Sequence, residues 1–325
     1  MTPIVKNAFV ESPGLTRIID EIECRRGEGH KRCPDNLVVV GPSGSGKTTL
    51  IKELTDERFP RTVSENNDKD IVPLLSLSFQ KDKSTLAMVN DLITQLGDPE
   101  TDEKDIDKAY ERLWHLLDAC CVEFICFDEF HNIRKGRTMQ VSSSAEKFVK
   151  DLNNHSKVIM IAFGTAEVHE LISAVDELDT RFDEYLYMPS FSVFDGKRPE
   201  FVKYLIDLSE YADIDNRDFL YDNDMPERFY ITTGANPRRI ARLIHRAIKL
   251  AKDDKGRRVL EHKDLYEAAL KFGSSDKQAQ VFRLSQKKLK DLFDKGDFEA
   301  TDLTRTHQVM SNFFSKKRNF LGSHC

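Results

Sequence analysis

Asn36 to Leu50 reads NLVVVGPSGSGKTTL, and no other stretch narrows the choice of fold so far. An apolar run suited to a buried strand breaks into a glycine-rich turn and then into helix-forming residues, so the reading is strand, phosphate loop, helix. Gly41, Pro42, Ser43, Gly44, Ser45, Gly46, Lys47, Thr48 and Thr49 form the loop and its exit into the helix. Glycine at 41, 44 and 46 lets backbone N–H groups close around a polyphosphate with no Cβ in the way. Lys47 has the reach for β- and γ-phosphates, and the Thr48 hydroxyl suits a bound Mg²⁺. Such a unit predicts an α/β fold class with a central parallel sheet flanked by helices, and nucleotide binding is the first functional expectation.

Length and charge set the limits around this centre. With 325 residues, the chain has room for about two domains. A net charge of −6 excludes a global attraction to nucleic acid, so any polyanion site has to be a local patch. The six cysteines stand at 24, 33, 120, 121, 126 and 325 without a C-x-x-C pair, a pattern that suits a reducing cytoplasm. Cys24, His30 and Cys33 lack a fourth zinc ligand and are read as loop residues. No stretch is apolar for long enough to suggest a membrane span or a secretion signal.

Four segments follow from a pass along the chain. Residues 1–35 read as a helical leader, with an amphipathic Leu15–Cys24 and a basic linker; 36–190 as the α/β nucleotide-binding core; 191–273 as an α-helical lid. Residues 274–325, with ten Lys/Arg against six Asp/Glu, read as a basic, aromatic and partly disordered tail. Within the core, Ile71–Phe79 is expected to be one strand. Ser84 is expected to cap a helix whose apolar face is Leu86, Val89, Leu92, Ile93 and Leu96. That places Lys81, Lys83 and Thr85 at a helix start, either as a phosphate-backbone site or as a solvated end. In CCVEFICFDEFHN, residues 120–132, a buried strand ends in Asp128-Glu129, the position a phosphate-loop ATPase needs for its Mg²⁺ shell and for polarising water. His131 and Asn132 then either sense the γ-phosphate or shape the turn. Arg134, Lys135 and Arg137 flank Gly136 in a loop that reads equally as sugar-phosphate contact or solvated loop. Thr165 closes the strand 157–163 and reads as phosphate contact or turn cap. Arg181 reads as an arginine supplied to a neighbour or as a surface ion pair. In the lid, Asp218–Asn223 is expected to be helical. Arg238 and Arg239 oppose the dipole of the helix starting at Asn236-Pro237, which points to an anion at one of them.

In this order, the phosphate loop, acidic pair, strand-terminal Gly-Thr, Arg-Phe and helical lid with Gly-x-x-Pro-Arg resemble the AAA+ ATPases. The fuller strings GPSGSGKTT, LGDP, FDEFHNI, AFGTAE, DTRFD and GANPRRI resemble the TnsC/TniB transposition regulators, from about Leu37 to Leu250. The resemblance implies an AAA+ phosphate-loop NTPase with a small helical lid, using ATP and Mg²⁺. It implies self-assembly into a ring or helical oligomer, hexamer- or heptamer-like, on duplex DNA held by sequence-independent backbone contacts. It also implies a bacterial cytoplasmic setting and a bridge between a target-selection complex, CRISPR-associated or otherwise, and a transposase. By the same resemblance Lys47 and Thr48 bind ATP-Mg²⁺, Asp128 and Glu129 hydrolyse, Thr165 is the first sensor, Arg181 the finger in trans and Arg238 the lid sensor, with Arg239 second. Lys81, Lys83, Thr85, Arg134, Lys135 and Arg137 become DNA-facing candidates. The alternatives are an initiator-type clamp or helicase loader, which would want a winged-helix module after the lid, and a signalling ATPase switch that never touches DNA.

Overall fold

The computed structural model describes residues 8–26, 36–64, 69–80, 83–98, 104–134, 140–182, 184–254, 256–271 and 275–294. They divide into two compact units, one spanning Pro13–Met188 and one made of the residues from Pro189 onward with those before Pro13.

The first unit is built on seven strands: β1 Leu37–Val40, β2 Thr62–Val63, β3 Asp70–Ile71, β4 Leu74–Ser78, β5 Phe124–Asp128, β6 Ile159–Gly164 and β7 Glu184–Tyr187. Five of them make one sheet in the order β4-β5-β6-β1-β7, every pairing parallel. β1 and β6 are buried along their whole length. That explains why they read as continuous apolar runs, since a parallel sheet covered on both faces needs no polar alternation. Helices α1 Pro13–Cys24, α2 Lys47–Glu53, α3 Thr85–Gln95, α4 Ile106–Ala119, α5 Ser143–His155, α6 Glu167–Ser173 and α7 Asp176–Asp179 belong to the same unit.

Two expectations are amended here, and the helix expected over Leu15–Cys24 forms as α1. The strand expected over 71–79 is two: β3 pairs antiparallel with β2, and β4 joins the sheet. Pro73 separates them because it has no N–H for a ladder, while its carbonyl accepts from the N–H groups of Glu123 at 2.8 Å and Phe124 at 2.9 Å. The leader helix α1 is part of the sheet unit, burying Leu15, Ile18, Ile19 and Ile22. Arg25, just past its end, pairs with Glu21 and with Glu184 on β7. Helix α3 does start at a Ser84 cap, whose Oγ accepts from Ala87 N–H at 3.2 Å, but Met88 takes the buried place expected for Leu86.

The second unit carries α8 Arg198–Ser209, α9 Met225–Thr233, α10 Pro237–Lys249, α11 His262–Lys271, α12 Asp276–Gln280 and α13 Gln286–Asp294. Phe201, Phe229, Ile240, Leu265 and Phe282 are among the residues of its core. The helix expected over 218–223 is only a 3₁₀ turn, Arg217–Leu220. The first part of the tail is helical: α12 and α13 belong to this unit, and Ser275 and Gln278 form a reciprocal capping box. Ala279, Val281, Phe282 and Leu289 are buried; in the sequence their apolar pattern is masked by the lysines interleaved with it. Residues 295–325 lie outside the described residues.

Candidate nucleotide site

The sheet order decides which loops meet. β6 lies between β1 and β5, so the carboxyl ends of β1, β6 and β5 stand side by side at the point where the strand order reverses, the usual ligand crevice of an open α/β sheet. The phosphate loop leaves β1, Thr165 follows β6, and Asp128-Glu129 closes β5.

The loop geometry fits a polyphosphate. Gly46 has φ 101°, a conformation that side chains rarely adopt. A Cβ at Gly41 would lie 2.6 Å from the Met188 side chain and 2.7 Å from Ser45 Oγ, so only glycine lets the loop pass there. Lys47 is buried, and its ammonium donates to the carbonyls of Gly41 at 2.8 Å and Pro42 at 3.0 Å. The Thr48 hydroxyl donates to Asp128 Oδ2 at 2.7 Å, bringing together two hard oxygen ligands of the kind Mg²⁺ requires. Asp128 Oδ1 accepts from Glu129 N–H at 2.8 Å. Ser45 Oγ and Thr165 Oγ1 are buried without a hydrogen-bond partner. Such atoms are rare unless a ligand or water completes them. The residues present therefore fit a Mg²⁺-nucleotide, with Thr48 and Asp128 as the metal's protein ligands.

Glu129 sits in the left-handed region at φ 53° and its carboxylate is half exposed, 3.1 Å from His131 Nε2. His131 Nδ1 is buried and unpartnered. Asn132 fixes the same turn by donating from Nδ2 to Phe79 O at 3.1 Å, so of the two residues left open by the sequence, Asn132 shapes the turn and His131 contacts the carboxylate. Burial holds the His131 imidazole below its usual value of 6.5, against the opposing pull of Glu129 and Glu167. Burial does the same to His262 in the second unit, reinforced by Arg228. The unfolded chain therefore takes up these protons first, so their contribution to stability is complete above about pH 6.5 and is lost as the pH falls through that value toward the folded ones. We expect urea midpoints to fall between about pH 7.5 and about pH 5.5, and His131→Gln with His262→Gln to flatten that slope.

Two residues that the sequence reading passed over hold Arg181 in its place. Asn36, 1% exposed, donates from Nδ2 to Arg181 O at 3.1 Å and to Asn153 Oδ1 at 3.0 Å, and its Oδ1 accepts from Met160 N–H at 2.8 Å. Phe182 is fully buried and packs on Phe130, ring centroids 5.7 Å apart, so an aromatic contact links the arginine turn to the acidic-pair turn. A polar residue starting an apolar strand was the available signal for Asn36. The Arg181 guanidinium donates to Glu177 O and, at 3.4 Å, to Asn154 Oδ1; it forms no ion pair among the described residues. Asn36→Ala should cost about 1–3 kcal/mol, because the buried Met160 N–H and two part-buried acceptors lose their partner, which denaturant unfolding would read directly.

The DNA-facing candidates sit differently. Lys83 is paired with Asp91, Thr85 Oγ1 donates to Ser144 O at 3.2 Å, and Arg134 pairs with Glu167 at 2.8 Å. Lys81, Lys135 and Arg137 lie outside the described residues. In the second unit Arg238 and Arg239 are both exposed in the first turn of α10, where Asn236 Oδ1 accepts from Arg239 N–H at 3.2 Å. Among the described residues no cluster of three His, Cys, Asp or Glu side chains could hold a metal, and no helix is long and apolar enough to cross a membrane.

The family model described as "Bacterial TniB protein" matches residues 1–191. The chain belongs to the TniB family. This TniB-family chain has the AAA+ fold, and solved structures agree. The Aeropyrum pernix ORC2 protein in its ADP form superposes with a TM-score of 0.59 at 12% identity, covering 96% of this chain and 88% of that one. The ORC1 protein of the same organism, solved in complex with DNA, gives 0.57 at 14% identity over 82% and 67% of the two chains. The ORC2 protein with ADPNP and ADP gives 0.56 at 12%, over 83% and 71%. No curated protein matches.

Proposed function

We propose that this TniB-family chain is an ATP-dependent, DNA-binding regulator of transposition that assembles with copies of itself and hydrolyses ATP where two copies meet. The observation that carries the proposal is the convergence of Lys47, Thr48, Asp128 and the unpartnered Thr165 hydroxyl at one end of the sheet. An arginine without a carboxylate partner among the described residues stands on the same unit. Lys47 would hold the β- and γ-phosphates, Thr48 and Asp128 the Mg²⁺ shell, and Glu129 the attacking water, whose proton its carboxylate accepts. Thr165 would bond the γ-phosphate, and Arg238 would read it from the lid. A Mg²⁺ held by Thr48 and Asp128 would supply positive charge that stabilises the charge developing on the phosphates. Arg181 would act on a neighbour's nucleotide, so that assembly and hydrolysis depend on each other.

Duplex DNA is proposed as the surface on which copies assemble, through sequence-independent contacts from Lys83, Thr85 and Arg134 and, outside the described residues, Lys81, Lys135 and Arg137. With Lys83 and Arg134 already paired to carboxylates, each copy would contribute little and affinity would come from many copies side by side. A transposase and a target-selection complex are the proposed partners at either side.

Mixing tests the shared site. Arg181→Ala copies and Glu129→Gln copies should each be inactive alone, and their mixture should recover hydrolysis, since an intact carboxylate then meets an intact arginine. Absence of recovery in mixed assemblies would remove Arg181 from the role. Binding to random-sequence duplex with an ATP analogue should fall steeply with salt; no binding even at low salt would favour the signalling switch.

A further inference from the structure

Helix α10, PRRIARLIHRAIK, contains five Arg and Lys residues and not one Asp or Glu. Arg238, Arg239, Arg242, Arg246 and Lys249 are all exposed. At 3.6 residues per turn they fall within about 100° of arc and run for about 16 Å along the axis. Arg246 donates to Lys271 O at 2.9 Å; the other four form no ion pair among the described residues. Elsewhere on this unit some exposed cations find carboxylates, as Lys203 with Asp207 and Arg258 with Asp213 and Asp215; Lys287, Lys288 and Lys290 form no ion pair among the described residues, but their helix α13 also carries Asp291 and Asp294. In a chain of net charge −6, a purely cationic helix face is an exception that calls for a partner.

The complementary surface is in the same sequence. Residues 166–180 carry five carboxylates and no Lys or Arg, and they end at Arg181. Glu167 and Glu177 are used by Arg134 and Lys150. Glu170 and Asp176 are exposed without an ion pair among the described residues, and Asp179, also exposed, accepts only from Ser173 Oγ, at 3.2 Å. The cationic face begins at the residue assigned to the nucleotide from the lid, and the acidic segment ends at the arginine assigned to the nucleotide of a neighbour. If both reach one triphosphate, the two charged surfaces meet beside it.

We propose that the cationic face of α10 docks onto the acidic α6–α7 segment of a second copy of this chain, forming an electrostatic seam that guides Arg181 to the neighbour's nucleotide. The inference rests on the reading of Arg181 as acting in trans. Steering by such a seam makes assembly sensitive to ionic strength and gives the neighbours a fixed order, the lid of one against the sheet unit of the next.

Charge reversal on the full chain tests it, with assembly followed by sedimentation in the presence of an ATP analogue and Mg²⁺. Arg242→Glu with Lys249→Glu, and separately Glu170→Arg with Asp176→Arg, should each raise the concentration needed for half-assembly by about tenfold or more. Mixing the two reversed proteins should restore assembly with the two alternating, since a reversed lid then meets a reversed segment and a wild-type lid a wild-type segment, and combining all four changes in one chain should restore assembly of that chain alone. All four positions are exposed, so unchanged thermal unfolding confirms intact folding. Reversals without effect, or no restoration in the combined variant, overturn the seam while wild-type assembly keeps the shared-site reading. A wild type that remains monomeric with every nucleotide overturns both. Lid variants that assemble normally but lose duplex binding assign the face to nucleic acid and overturn the seam.

Discussion

Glu129→Gln should lower ATP hydrolysis by about 10²–10⁴-fold, the usual share of a general base, while leaving nucleotide affinity nearly unchanged. The geometry separates these two effects. The Lys47 ammonium lies within the loop, donating to Gly41 O at 2.8 Å, and the Thr48 hydroxyl donates to Asp128 at 2.7 Å; on the proposed reading these groups and the loop amides would hold the phosphates. The Glu129 carboxylate contacts neither; its neighbour is His131 Nε2 at 3.1 Å. A Gln at 129 keeps an acceptor for that imidazole and nearly the same volume, so the left-handed turn is retained and only the proton acceptor is lost. The kinetic signature is therefore a fall in kcat at nearly constant KM, the mark of an interaction made in the transition state. Fluorescent-nucleotide titration beside a phosphate-release assay would measure both. Hydrolysis close to wild type would show that another group takes the proton. Asp128→Asn should behave differently, weakening the Mg²⁺ complex itself and raising KM.

The contrast between these carboxylates also shows what could be read from the chain without its fold. Strand, loop and helix at 36–50 and the acidic pair at 128–129 are contiguous motifs whose chemistry demands their spacing, so their places at the strand ends were legible. The position of Thr165 was legible only as a strand end, and becomes meaningful because β6 inserts between β1 and β5. Asn36 and Phe182 could not be assigned from sequence, because their partners, Met160, Arg181 and Phe130, are far along the chain and are brought close by parallel pairing. Pro73 marked a break that the apolar run around it concealed. The helices in the first part of the tail went unread for a related reason: α13 exposes lysines and buries Leu289, a sparse pattern that resembles a solvated charged stretch.

The last prediction concerns the contact of those helices with α9. Arg228→Ala should destabilise the second unit by about 3–5 kcal/mol, the range for breaking a buried ion pair by removing one partner. Arg228 is 3% exposed; Nε and Nη2 each donate to Asp224 at 2.8 Å, Nη2 also donates to Leu284 O at 2.9 Å, and Nη1 donates to Val281 O. One guanidinium thus ties α9 to the turn between α12 and α13. Without it a largely buried carboxylate and two carbonyls lose their donors. Burial alone pushes the Asp224 carboxyl up, but the hydrogen bonds and charge of Arg228 outweigh it and hold the group below the usual carboxylate range. Stability from this pair is therefore present above the unfolded Asp value, about 3.9, and lost as the pH falls through the folded one, so the variant should also show a shallower acid limb. Lysine restores the charge but not the planar fork that reaches two carbonyls and two carboxylate oxygens, so Arg228→Lys should recover only part of the loss. Asp224→Leu with Arg228→Met removes both charges and should cost less than Arg228→Ala alone. Urea unfolding ranks the three variants, and amide exchange over residues 275–294 identifies the mechanism. If those amides keep wild-type protection in Arg228→Ala, the guanidinium is not what anchors the final helices.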